Sequence, residues 1–427
     1  MDNTALPDNT APTVSSYTKP KWTVFACLRI GFFTLFATLF FMNLSIMLAL
    51  ATPLALVPSA FRVVSRFGIR AVASWVVMLA WILCGKQTIV LSGDWKKLPE
   101  LKRILLFGNH QTFLDWFYLG ILGWYTNNTS GIKFIILDIF RHVPFFGWTG
   151  YLCDLIFVVQ KWDVDEPRIS RALTPLPTRP KDPLWLIIFP EGGFPNEVNF
   201  NIAKKYIQRV SESNAAEDGD AYVPTLPVHV VLPKSKGLRT CIQKLNPPPK
   251  DPLPEQKKTA KPSPVDTCVD FTIGFIPTYT YREDGVSPNE ALAPLHVFGM
   301  GGKSSVLNKV CIDIRVLPTQ TSSALASLNE NEFDYWLKKL WEGKDAMLGH
   351  FKSSGTFAGY SCEHYGTEGL VLEESIERGG FSVIKEDMVE FKVIPHGTDV
   401  LNVFVGTFSM WIVASIAVGL YLLLKPY

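Results

Sequence analysis

The sequence predicts an α/β domain held between apolar membrane segments, and three observations predict it. Uncharged runs long enough to span a bilayer lie near both ends. A charged body of mixed composition lies between them, and short apolar runs in that body alternate with a helical pattern.

In chain order, a polar stretch from Met1 to about Thr18 precedes Lys19 and Lys21. A cleavable leader would put a short apolar run nearer the start, followed by small residues. Instead, Ile30 to Val57 is a 28-residue run without charge, expected to form a retained membrane helix bent at Pro53. The next run, Ala71 to Cys84, has 14 residues and is short for a span. It is expected to lie in the interface, to re-enter, or to pack against the first helix. A second span is expected over Val403 to Leu424. Lys19 and Lys21 precede the first run and Arg62, Arg66 and Arg70 follow it, so the positive-inside rule leaves orientation open. The boundaries read as a polar tail (1–21), N-terminal membrane helices (22–85), a catalytic domain (86–352), an extension (353–400) and a C-terminal transmembrane helix (401–427).

Within the body, Ile104–Phe107, Leu184–Phe189 and Val228–Leu232 read as buried strands. A helical pattern over Leu114, Phe117, Tyr118 and Ile121 follows the first of them. Thr174–Pro183 and Asn246–Pro264 are proline-rich and read as loops. Asn331–Lys352 carries Phe333, Trp336, Leu337, Leu340 and Trp341 at amphipathic helical spacing. A net charge of +2 argues against a protein built to coat nucleic acid, and no nucleic-acid partner is expected. Seven scattered cysteines without a CxxC pair fit neither a disulfide framework nor a zinc site, and suggest a reducing compartment for the body.

The strongest chemical signal is Asn109-His110-Gln111-Thr112-Phe113-Leu114-Asp115, between a strand and a helix. Residues five apart on one helix point about 140° away from each other. His110 and Asp115 therefore meet only if His110 lies in the loop and Asp115 in the first helical turn. The carboxylate would then hold one imidazole nitrogen and leave the other to take a proton from a hydroxyl. Taken alone, a histidine before a helix is as readily a cap or a surface residue. The second signal is Phe189-Pro190-Glu191-Gly192-Gly193, again at a strand end, where the glycines permit close approach of a ligand. Taken alone, this segment reads as an ordinary turn. Gly299–Ser304 ends like a phosphate loop, but Val297 breaks the spacing. Asn127 and Asn128 form glycosylation sequons that matter only in a lumenal loop.

These residues resemble a known family. His110 and Asp115 are similar to the HxxxxD motif of the glycerolipid acyltransferases, in the 1-acylglycerol-3-phosphate and lysophospholipid branch. Phe189, Pro190, Glu191 and Gly192 match its FPEG motif. Pro144–Trp148 leading into Phe157–Trp162, and Val231–Gly237, are further matches. Phe333–Phe351, with Trp336 and Lys344-Asp345, looks like a helix of the eukaryotic lysophosphatidic acid and lysocardiolipin acyltransferase group.

The resemblance implies a mixed sheet with flanking helices and direct transfer from acyl-CoA, a co-substrate, without an acyl-enzyme. It makes His110 the general base and Asp115 its orienter, and it needs no cofactor or metal. It assigns substrate binding to Asn109, Phe189, Pro190, Glu191 and Gly192, with Pro233 shaping the floor of the site. Two departures stand out. Gln160 occupies the place of an arginine that would bind the acceptor phosphate, and Gly193 stands where threonine is frequent. Glutamine offers no charged fork, so Lys161 or Lys234 would substitute as a point charge. Lysophosphatidylinositol is then as good an acceptor candidate as lysophosphatidic acid.

The expected protein is an acyl-CoA:lysophospholipid acyltransferase of the endoplasmic reticulum membrane, its site facing the cytosol where CoA is found. Its partners would be acyl-CoA, a lysophospholipid and membrane lipids. Two other classes compete: a lipid hydrolase, against which the missing G-x-S-x-G elbow counts, and an inactive lipid-binding or recruiting protein that keeps the fold.

Overall fold

The computed structural model describes residues 17, 19, 21–84, 87–217, 222–246, 267–300, 307–362, 381–382 and 388–408. Two apolar helices, α1 (Val24–Leu50) and α2 (Pro58–Cys84), precede the body. The body then runs β1 (Thr88–Gly93), β2 (Arg103–Gly108), α3 (Asp115–Tyr125), β3 (Ile132–Leu137), α4 (Phe146–Leu152), β4 (Ile156–Val158), α5 (Trp162–Leu173), β5 (Leu184–Ile188) and α6 (Glu197–Glu217). It continues through α7 (Ser235–Leu245), β6 (Thr267–Ile276), the short helices α8 (Tyr281–Asp284), α9 (Pro288–Ala291) and α10 (Pro294–Met300), and β7 (Lys309–Val316). Helices α11 (Thr319–Ser327) and α12 (Glu330–Ser354) follow, then the short strands β8 (Ser361–Cys362), β9 (Phe381–Ser382) and β10 (Val389–Phe391).

Among the described residues eight strands form one mixed sheet in the order β10-β1-β7-β6-β2-β5-β3-β4, as the α/β expectation required. Strands β6, β2, β5, β3 and β4 run parallel, whereas β7 pairs antiparallel with β6. Every residue of β2 and β5 is buried, in keeping with strands covered on both faces. The α3 side of the sheet packs against α2, and α5, α7 and α12 cover the other side.

Four expectations are corrected. The first membrane helix ends at Leu50, not Val57; Pro53 sits in a 3-10 turn over Thr52–Leu56, so it ends the helix instead of bending it. The run Ala71–Cys84 is the second half of α2, a helix of 27 residues. The basic residues that interrupt the apolar pattern do not interrupt the helix: Arg62 and Arg66 both pair with Asp182, and Arg70 is exposed. Val228–Leu232 is not a strand: the backbone N–H groups of Val228, His229 and Val230 go to the Asp345 carboxylate, at 2.6 to 3.1 Å, instead of to a neighbouring strand. Finally, β10 adds a strand to the sheet from inside the expected extension.

Helices α1 and α2 are both long and apolar enough to cross a membrane. They differ in setting: α1 buries 17% of its most apolar window inside the protein and α2 67%. Residues 397–408 are helical, and Asp399 docks this helix by accepting from Ser74 of α2 (2.8 Å) and Trp124 of α3 (2.9 Å). The rest of the expected C-terminal span, 409–424, lies outside the described residues, as does all of the proline-rich loop Asn246–Pro264 except Asn246.

Candidate active site

Strand β2 lies directly beside β5, with Phe107 opposite Ile188. Parallel neighbours end on the same edge, so both sequence motifs emerge side by side at the carboxyl ends of the strands, where α/β sheets hold ligands. Gly108 ends β2 at a point where a Cβ would fall 2.3 Å from the carbonyl oxygen of Phe271. Asn109 then ties the chain to β6, donating to Ile273 O (3.0 Å) and accepting from Ile273 N (2.8 Å). Its amide is fully buried, so this side chain acts as sheet backbone would.

The chain leaves the sheet at His110 and turns into α3, which Asp115 opens. The His110 Nδ1 hydrogen-bonds the Asp115 carboxylate at 2.7 Å. That carboxylate also accepts from Gln111 N (2.7 Å), Thr112 N (3.2 Å) and Thr112 Oγ1 (3.3 Å). Since a carboxylate only accepts, Nδ1 carries the proton in the neutral ring and Nε2 is left basic. Burial pushes the Asp115 carboxyl above its usual range, while the His110 hydrogen bond and the loop N–H groups pull it back.

From β5, Phe189 stacks on the His110 ring at 3.9 Å, and Phe194 packs against the same ring at 4.4 Å. Glu191 does not project into solvent; it is buried and accepts from Trp341 Nε1 at 2.9 Å. Its Oε2 has no hydrogen-bond partner of normal geometry, and burial holds the carboxyl well above its usual range. The Trp341 bond pulls it back, as, more weakly, do the nearby backbone N–H groups of His110 and Val231. Glu191 thus stands between the loops that carry His110 and Pro233. Pro190 O accepts from Lys234 N (2.9 Å), which ties the Glu191 loop to the Pro233 loop, and Pro233 is buried.

Gln160 and Lys234 converge on Gly192. The Gln160 amide donates to Gly192 O, and a Cβ on Gly192 would lie 3.3 Å from Lys234 Nζ. Gly192 has φ +66, a conformation suited to glycine. Gln160 has φ +61, where a non-glycine residue pays about 1 kcal/mol. Val159 N donates to the buried Asp165 carboxylate just before this turn and holds it (2.8 Å). Lys161 is exposed and caps α5.

Helix α12 holds the whole constellation from behind. Besides Trp341 on Glu191 and Asp345 on residues 228–230, the Lys344 ammonium is buried against Asp270 at 2.6 Å and donates to Phe271 O at 2.7 Å. His229 O accepts from Gln111 Nε2 (2.9 Å), which carries the Asp345 anchor through to the His110 loop. Sequence reasoning did not single out Phe194, Gln111, Trp341 or Asp345 as parts of the site. The available signal was charge on an apolar face: Lys344 falls in line with Leu337, Trp341 and Leu348. Asn128 is buried, donates to Leu98 O and Thr126 O and accepts from Lys102, so that sequon presents no free amide. Among the described residues no group of three or more His, Cys, Asp or Glu is placed to hold a metal.

Residues 92–248 match the family model described as Acyltransferase. Residues 92–248 form an acyltransferase domain similar to those of glycerolipid acyltransferases. It is 27% identical over 297 residues to a probable 1-acyl-sn-glycerol-3-phosphate acyltransferase 5 of Arabidopsis thaliana, covering 68% of this chain and 64% of that protein. It is 26% identical over 288 residues to a 2-acyl-1-lysophosphatidylinositol acyltransferase of Saccharomyces cerevisiae, covering 58% and 61%. With the human 1-acyl-sn-glycerol-3-phosphate acyltransferase gamma it shares 24% over 314 residues, covering 72% and 69%. The chain thus spans somewhat under two thirds of the length of the first two relatives. No solved structure matches it.

Proposed function

We propose that this acyltransferase moves a fatty acyl group from acyl-CoA onto a free hydroxyl of a lysophospholipid. The observation that carries the proposal is the His110–Asp115 pair, bonded at 2.7 Å, in a domain whose relatives are named for lysophospholipid acceptors. His110 Nε2 takes the proton as the acceptor oxygen attacks the thioester carbonyl. The C–S bond then breaks, and the proton passes to the departing CoA thiolate. Asp115 keeps the ring in the reactive tautomer and offsets the charge it gains. Lys234 and Gln160, which meet at Gly192, are assigned to the acceptor headgroup, and lysophosphatidic acid and lysophosphatidylinositol remain the two candidates. Work at a membrane surface, facing the cytosol, spares both substrates the transfer of long chains into water, about 0.8 kcal/mol per methylene.

The test is acyl transfer from labelled oleoyl-CoA by purified protein in detergent, across a panel of lysophospholipids, beside His110→Ala. Transfer that falls about 100-fold or more in the variant is the expected result. Equal transfer in the variant, or none by the well-folded wild type, overturns the proposal.

A further inference from the structure

The segment from Leu137 to Tyr151 presents apolar side chains outward instead of burying them. Ile139 is 69% exposed, Trp148 63% and Tyr151 69%, with Val143 also exposed beside them. The exposure follows from how α4 is clamped. Ser45 of α1 donates to Phe145 O (2.6 Å) and shares a hydrogen bond with Thr149 Oγ1 (2.8 Å), and Phe41 packs edge-on against Phe146 at 5.3 Å. Thr149 faces this contact, Gly147 sits on the Arg141 backbone and Gly150 against Leu155 and Phe157; all three are buried, which leaves Trp148 and Tyr151 on the open side of the helix.

We propose that this ridge, residues 137–151, is a membrane-binding surface that dips into the lipid interface next to α1. The proposal rests on the reading that α1 is itself membrane-embedded. Three observations favour lipid as the occupant. First, the ridge is fixed to α1, which leaves more of its apolar surface open than α2 does, and exposed Leu54 and Leu56 extend that surface beyond the helix end. Second, tryptophan and tyrosine with a neighbouring cation, here Arg141, are the chemistry of the headgroup boundary, where one end of a ring is apolar and the other wet. Third, the ridge leads to the site. The Phe140 ring lies 5.5 Å from Phe113, inside the His110 loop, and 6.3 Å from Phe146 at the start of α4. A lipid leaving the bilayer at this ridge reaches the catalytic loop across one side chain.

Full-length protein lacking its native Cys27 and Cys362 (both changed to Ser) is reconstituted into vesicles of equal phosphatidylcholine and phosphatidylserine. A nitroxide is placed singly at Ile139→Cys, Trp148→Cys, Phe32→Cys on α1 and Lys236→Cys on α7. Collision with oxygen, which partitions into lipid, is compared with collision with a water-soluble nickel chelate. The expected result is an oxygen-favoured shift at positions 139 and 148, as at 32, against a nickel-favoured signal at 236. Nickel-favoured signals at 139 and 148 with an oxygen-favoured one at 32 overturn the ridge and leave the α1 reading standing. Shielding of 139 and 148 from both reagents shows a protein contact and also overturns it. A nickel-favoured signal at 32 overturns both.

Discussion

Asp115→Asn separates the orienting role of the carboxylate from its structural one. The carboxylate accepts from His110 Nδ1 and Gln111 N at 2.7 Å each on one oxygen, from Thr112 Oγ1 at 3.3 Å on the other, and from Thr112 N at 3.2 Å on both. An amide keeps one acceptor oxygen. If that oxygen stays with His110 and Gln111 it still accepts from Thr112 N, while its NH2 faces the Thr112 hydroxyl, which can turn to accept, and crowds the Thr112 N–H. Weakening that shared N–H bond costs about 1–2 kcal/mol. The loss is offset because burial already disfavours the charged form of Asp115. The variant should therefore fold, with a stability loss of about 1–2 kcal/mol. Catalysis should suffer far more. A neutral amide cannot offset the imidazolium that forms, and turned around it would donate to Nδ1 and hold the wrong tautomer. A loss of about 10²–10⁴ in kcat/KM is expected, the usual worth of a positioned general base. The assay is initial-rate transfer of labelled oleoyl groups, with thermal unfolding of the same sample. Retention of more than about a tenth of wild-type kcat/KM with a native unfolding transition would refute the orienting role.

Asp345→Ala orphans the N–H groups of Val228, His229 and Val230, and about 2–4 kcal/mol of stability should go with them at this part-buried site; an unfolding midpoint like the wild type's would sink the anchor. Lys344→Met leaves Asp270 buried without its cation and should cost about 3–5 kcal/mol, much of it recovered in Lys344→Met/Asp270→Leu if the penalty is unpaired charge and not lost shape. Glu191, whose carboxyl is raised by burial, binds its proton more tightly folded than unfolded, so its contribution is whole below about pH 4.3 and drains away as pH rises through the folded value. Glu191→Gln keeps an acceptor for Trp341 and should flatten that part of the curve of unfolding temperature against pH; identical slopes would count against the assignment. Gln160→Arg should favour phosphomonoester over phosphodiester acceptors by about tenfold, one charged hydrogen bond discounted for exposure, and an unchanged ratio would mean position 160 does not meet the headgroup.

The sequence made legible what depends on local pattern. Strands β2 and β5 were visible as apolar runs, α12 as a period of 3.6, and the meeting of His110 with Asp115 followed from the impossibility of their pairing on one helix. What it hid depends on partners distant in the chain. The run Val228–Leu232 has strand composition, yet its backbone donors are taken by Asp345, more than 110 residues later. The second half of α2 read as too short to span because Arg62, Arg66 and Arg70 looked like a break; Asp182 pairs with the first two and Arg70 is exposed, so the helix runs through all three. Glu191 at a strand end looked like a ligand-facing carboxylate, whereas Trp341, on a helix 150 residues away, draws it inside. No periodicity encodes such contacts.

The same distant contacts bear on where the catalytic unit ends. The family match stops at residue 248, yet β6 and β7, from 267 to 316, are central strands of the sheet that carries the His110 loop. Asn109 borrows both its hydrogen bonds from β6, so without that strand the loop would leave β2 at a different point. Beyond β7, α12 supplies the donor to Glu191, the acceptor for residues 228–230 and the cation that neutralises Asp270. Each of these groups is polar, and most of them are buried, so a chain cut at 248 would strip Asn109 of both its bonds, Glu191 of Trp341 and the N–H groups of residues 228–230 of their acceptor. The motifs supply the reacting groups. Their geometry is set from the far side of the sheet, by a helix whose first turn is closed by its own capping box at Asn329 and Glu332. A substitution on the buried face of α12 should therefore act on catalysis through position, lowering the rate without touching a reacting group, whereas one at Asp115 removes the partner of the base itself.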